Sequence, residues 1–150
     1  MRLDWILTPI VIAIGFVVAF LIAKKYRKNP RKTLIRLVAA NIFLDAFAIG
    51  VWAAFPTLQW TIYQLNFSIV GVEAAVAAAL FCVTLFGLFK SKKWAPTLAI
   101  AVTVAQRVFA TYVFFPSVGI ALTLTWSLLI VFFAHSVLKQ RAPNAPAPPQ

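Results

Sequence analysis

Apolar side chains fall along this chain in five blocks, each close to the length of a bilayer-spanning helix, and that segmentation limits the fold more than any motif does. The blocks cover approximately residues 5–23, 34–55, 67–89, 95–115 and 118–138. A span needs roughly 20 apolar residues, so five of them use most of the 150-residue chain and leave no room for a water-soluble domain. Composition agrees, with 63% of residues hydrophobic and 11% charged, against about half and a quarter in soluble domains. The expected fold is an all-α integral membrane protein. Residues 1–141 form a five-transmembrane-helix bundle, and 142–150, rich in Pro and Ala, form an extended tail too poor in apolar groups to fold. The last two blocks are separated only by Pro116 and Ser117. Together they are about twice a span, and Pro116 with Gly119 supplies a helix stop and a tight turn, so they are expected as an antiparallel hairpin.

The charges give the chain a direction. There are 14 Lys+Arg against 3 Asp+Glu, a formal +11. The first connection carries Lys24, Lys25, Arg27, Lys28, Arg31, Lys32 and Arg36, the third carries Lys90, Lys92 and Lys93, and the end carries Lys139 and Arg141. The connection at 56–66 and the turn at Pro116 have none. Five spans put every basic region on one side, which the positive-inside rule makes the cytoplasmic side, with the N-terminus outside and the C-terminus inside. Four spans would split them. The basic stretch 24–36 also suits contact with anionic lipid headgroups, whereas nucleic acid is excluded as the reason for the charge because the cations lie between apolar blocks. Asp4 before the first block and lysines after it reverse the charge order of a secretory signal, and no Ala-x-Ala cleavage site follows, so this block is expected as a retained span. Trp5, Trp52, Trp60, Tyr63 and Tyr112 fall near outer ends and Tyr26 and Trp94 near inner ends, as interfacial anchoring requires.

Most cofactor chemistry is excluded by supply. One cysteine, Cys82, permits no disulfide, CxxC pair or thiolate zinc site. One histidine, His135, permits neither bis-histidine haem nor a His-rich metal site within one chain. No cofactor or metal is expected, and neither a nucleophile–base constellation nor a Gly-rich phosphate loop is present. What remains is a small set of intramembrane polar groups. Two of the three acids, Asp45 and Glu73, lie inside apolar blocks, where a carboxylate costs several kcal/mol unless it is paired, protonated or facing water. Arg107 lies inside the fourth block. Asp45 is about ten residues from the outer end of its block, Glu73 about seven and Arg107 about eight, depths that agree within roughly 5 Å at 1.5 Å per residue.

These three residues are therefore expected to meet in one layer. Two carboxylates against one guanidinium leave a net negative charge that a shared proton would remove, the arrangement a proton-coupled carrier or an acid–base enzyme needs. Asn41 lies one helical turn from Asp45, with Trp52 two turns further on, and Thr103 and Thr111 flank Arg107 at i−4 and i+4. Gly71, Ala75 and Ala79 form a small-residue ridge suited to helix packing on another face of the third block. The leading expectation is a small carrier or binding protein of the cell membrane that holds a proton, ion or lipophilic solute at Asp45, Glu73 and Arg107 and works as a homo-oligomer or in a larger complex. Two others stand beside it. One is a non-catalytic subunit or assembly factor, in which the charged cluster is polar glue. The other is a membrane-embedded isomerase or cyclase acting on an isoprenoid or other lipid, with Asp45 or Glu73 as the acid and Trp52, Trp126 and Phe109 lining the pocket.

Overall fold

The computed structural model describes residues 3–54, 67–114 and 118–141. Among them the chain is all-helical: α1 is Leu3–Tyr26, α2 Pro30–Ala54, α3 Phe67–Phe89, α4 Ala95–Phe114 and α5 Val118–Arg141, with no strand. Each apolar block corresponds to one helix. The differences lie at polar ends, where capping rather than hydropathy sets the boundary. α2 begins at Pro30, ahead of its apolar block, because Pro is preorganised for the first helical position. The Asn29 carbonyl opens the helix by accepting bonds from the Thr33 N–H and Oγ1, both at 3.1 Å. α5 continues past its block to Arg141, and its last turn places cations at the negative end of the helix dipole.

The end of α3 is closed twice. Lys92 N–H donates to the Gly87 carbonyl (2.8 Å) and Ser91 N–H to the Leu88 carbonyl (3.2 Å), with Ser91 in the left-handed region at φ 56°. This is a Schellman cap with serine where glycine is usual. The Arg31 guanidinium, reaching from the first turn of α2, then donates to the carbonyls of Leu88 (Nε 3.2 Å, Nη2 2.7 Å) and Phe89 (Nη2 3.2 Å). Arg31, read from sequence as one of several orienting charges, is a helix cap that ties α2 to α3.

Helices α2, α3, α4 and α5 pack in that order around a ring, α5 closing back on α2, and α1 lies outside the ring, mainly against α5. Ridge positions Gly15, Ala19 and Ala23 of α1 are all buried. A Cβ on Gly15 would collide with the Thr125 side chain of α5, so a small-residue ridge brings these two helices into close approach. The ridge expected at Gly71, Ala75 and Ala79 is not used this way. Ala75 and Ala79 are exposed and Gly71 is half-buried, while Ala74, Ala77, Phe81, Thr84 and Leu88 form the inward face of α3. The apolar core of Leu34, Val38, Phe81, Leu88, Ile130 and Phe133 fills the half of the bundle nearest the basic connections. Buried polar residues, Asn41, Thr103, Gln106 and Ser127 among them, lie beyond it.

Two helices are long and apolar enough to cross a membrane, over Pro9–Tyr26 of α1 and Gly71–Phe89 of α3. This gives a membrane location weak support. The other three helices do not reach that level among the described residues, and these are the helices that carry Asn41 and Asp45, Thr103, Gln106 and Arg107, or Ser127 and His135. Several sequence expectations lie outside the described residues: the connection with Trp60 and Tyr63, the Pro116–Ser117 turn and the tail at 142–150. The Trp5 and Trp52 side chains, on α1 and α2, also fall outside the description.

Candidate functional site

The polar layer is built where α2 and α4 face each other across the ring. Asn41 and Asp45, one turn apart on α2, point the same way, and Asn41 Nδ2 donates to Asp45 Oδ2 at 2.9 Å. From α4, Gln106 Nε2 donates to Asp45 Oδ1 at 3.1 Å. Both carboxylate oxygens are thus engaged by amides, and both amide residues are buried, Asn41 at 6% exposure and Gln106 at 8%. The network spans the ring from α2 to α4.

Glu73 has different surroundings. It lines an apolar cavity of about 260 Å³ between α3 and α4, together with Ala77, Leu80, Val102, Gln106 and Phe109. Among the described residues it accepts no hydrogen bond and forms no ion pair. Its carboxylate lies within the electrostatic reach of both Asp45 and Arg107. Gln106 therefore forms a wall common to both acids, binding Asp45 and bordering the cavity of Glu73.

Arg107, the next residue on α4, turns about 100° away from Gln106 and lines a larger cavity of about 520 Å³ between α4 and α5. Thr103 and Thr111, the expected flanking pair, line the same cavity, as does Ser127. The rest of its surface is apolar, with Val108, Leu124 and Leu128. Arg107 Nε and Thr103 Oγ1 are buried without a hydrogen-bond partner among the described residues, and Ser127 donates its hydroxyl to the Thr123 carbonyl at 2.8 Å. Arg107 lies within the electrostatic reach of both Glu73 and Asp45.

Asp45, Glu73 and Arg107 thus share one electrostatic neighbourhood, and none of the three forms an ion pair with another. They are distributed over a hydrogen-bonded crossing and two cavities on opposite sides of α4. Sequence reasoning did not select Gln106 or Ser127. The available signal was depth: Gln106 adjoins Arg107 and so lies level with Asp45. Of the aromatics expected in an enzyme pocket, Phe109 borders the Glu73 cavity and Trp126 packs against the core. His135 is exposed, and Cys82 is a free, exposed thiol. No group of three or more His, Cys, Asp or Glu side chains able to hold a metal occurs among the described residues. Comparison with protein-family models, curated proteins and solved structures gives no match.

Proposed function

We propose that this chain is a five-span protein of the cell membrane, N-terminus outside and C-terminus in the cytoplasm, that binds or carries a proton, ion or lipophilic solute at the layer of Asp45, Glu73 and Arg107. The observation that carries the reading is the state of Glu73. It is a carboxylate on the wall of an apolar cavity, without a hydrogen bond among the described residues, in the field of a second acid and an arginine. A buried carboxylate fully bound by donors is a structural part. One that faces a cavity can exchange a proton or meet a ligand.

The outer surface supports the membrane setting for the helices that fall short on hydropathy. Phe43, Leu44 and Phe47 of α2, Val104, Val108 and Tyr112 of α4, and Phe132 of α5 are exposed. Their polar residues Asn41, Gln106 and Ser127 are buried. Apolar side chains outside and these amides and hydroxyl inside is the pattern of a helix whose solvent is lipid. Tyr112, 90% exposed, and Tyr26 and Trp94, also exposed, supply amphipathic rings near helix ends, where headgroups would lie.

The test is proton-linked flux in liposomes containing the purified chain and a trapped pH-sensitive dye, under an imposed potential. Glu73→Gln is expected to reduce flux at least tenfold while leaving folding intact, and Glu73→Asp to restore part of it. Flux in the unaltered chain no greater than in empty liposomes, or equal in Glu73→Gln, overturns the carrier reading. The subunit reading is favoured by one observation, the outward position of Ala75 and Ala79. It predicts copurification with other chains.

A further inference from the structure

A third cavity, of about 370 Å³, lies at the opposite end of the bundle from the polar layer, where the connection between α1 and α2 meets the end of α5. Lys28, Asn29, Arg31, Lys32, Ile35 and Gln140 line it. Its geometry is fixed by Arg31, whose guanidinium is committed to the carbonyls of Leu88 and Phe89. That capping bond also draws the α3–α4 turn, with Lys90, alongside the α1–α2 connection. The cavity therefore has a rigid floor and two exposed lysines, Lys28 and Lys32, on its rim.

Among the described residues no acidic side chain lines this cavity. The chain's only acids are Asp4, Asp45 and Glu73, the first at the start of α1 and the other two in the polar layer. Orientation by the positive-inside rule needs cations in a connection, but it needs neither a concavity among them nor a guanidinium locked to a neighbouring helix end. Asn29 and Gln140 add amide donors, and Ile35 gives the cavity one apolar wall. An anionic group continuous with hydrocarbon matches that lining.

We infer that this cavity holds the phosphate of an anionic phospholipid. Lys28 and Lys32 are the point charges on the phosphate, Asn29 and Gln140 bind oxygens of the headgroup or glycerol, and an acyl chain leaves past Ile35. The assignment uses the membrane setting proposed above for the source of the ligand and is independent of Glu73. The same phosphate chemistry could come from a soluble anion, and the experiment separates the two.

The full chain, purified in neutral detergent, is titrated with dioleoylphosphatidylglycerol and dioleoylphosphatidylcholine and read by native mass spectrometry. Inorganic phosphate and glycerol phosphate are added as competitors. The glycerol lipid is expected to bind at least tenfold more tightly than the choline lipid and to resist millimolar phosphate. The double variant Lys28→Gln/Lys32→Gln is expected to lose roughly 25-fold, about fivefold per lysine. Lys24→Gln/Lys93→Gln, which removes equal charge from exposed positions outside the cavity, is expected to lose less than threefold. Equal losses in the two variants would reduce the effect to diffuse attraction and overturn the site. So would equal binding of the two lipids by the unaltered chain, a comparison that needs no variant to fold. Displacement by inorganic phosphate at matching concentration would reassign the cavity to a soluble anion. Glu73→Gln should bind the lipid normally, so failure of the carrier reading leaves this assignment standing and can be told from its own failure.

Discussion

The crossing of α2 with α4 and the groove between α3 and α4 set two carboxylates against the same glutamine and give them opposite conditions. Asp45 has an amide on each oxygen, whereas Glu73 faces an apolar cavity with no such donor among the described residues. The same contrast recurs in the small-residue ridges. Gly15, Ala19 and Ala23 are buried, with Gly15 against α5, while Ala75 and Ala79 face outward. In both cases α3 holds the available member and the α1–α2 half holds the committed one. A polar or small residue inside an apolar helix is thus not a site by its identity alone. What distinguishes a strut from a site is whether its bonding capacity has already been met within the chain.

The largest expected effect comes from breaking the committed carboxylate. Asp45→Ala removes the shared acceptor and strands two buried amides, Asn41 and Gln106, each of which then lacks its partner. The expected cost is about 1–3 kcal/mol, taking each unsatisfied buried amide at roughly 1 kcal/mol or more. Glu73→Ala strands no hydrogen-bond partner among the described residues and should cost less than about 0.5 kcal/mol. Thermal unfolding of the two variants in the same detergent measures the difference. Equal destabilisation would mean that Glu73 is also a structural group and would break the comparison.

Next is the committed ridge. Gly15→Leu places a side chain where even a Cβ would meet Thr125, so α1 must move away from α5. Overpacking of this kind costs about 1–3 kcal/mol. Because α1 lies outside the ring of four, the loss should be local: protease cleavage between α1 and α2 should accelerate while the α2–α5 ring keeps its helicity. Cooperative loss of all helicity in circular dichroism would show instead that α1 is integral to the ring.

How far these features could be read in advance depended on whether they were matters of pattern or of rotation. Hydropathy segments the chain because each apolar block must become one helix, and it located α3 at both ends. It missed Asn29 and Arg31 because caps are satisfied by backbone groups distant in sequence, such as the carbonyls of Leu88 and Phe89. Depth along a helix is linear in residue number, so Asp45, Glu73 and Arg107 could be assigned to one layer. The direction in which each side chain leaves its helix depends on which neighbours that helix finds. Gln106 and Arg107 differ by one residue and face different cavities, and no periodicity in α4 says which of them turns to Asp45. The α1 ridge was passed over for the same reason. Gly15-x-x-x-Ala19 and Gly71-x-x-x-Ala75 are alike as patterns, and only the packing of α1 on α5 separates them.

The smallest expected effect on stability is therefore the most informative about assembly. Ala75→Leu adds a branched side chain to an exposed position of α3, where no other helix of the same chain must yield. Within the monomer the change should stay within about 0.5 kcal/mol. Small-residue ridges let helices approach closely, and a leucine at the centre of one prevents it. If α3 is the contact between copies, cross-linking through Cys82, which is exposed on the same helix, should fall several-fold in Ala75→Leu at unchanged melting temperature. Strong cross-linking at Cys82 that is insensitive to Ala75→Leu would show that the contact does not depend on close approach at the ridge. A matching drop in melting temperature would mean that the ridge is already used within the chain, and the contrast with Gly15 would disappear.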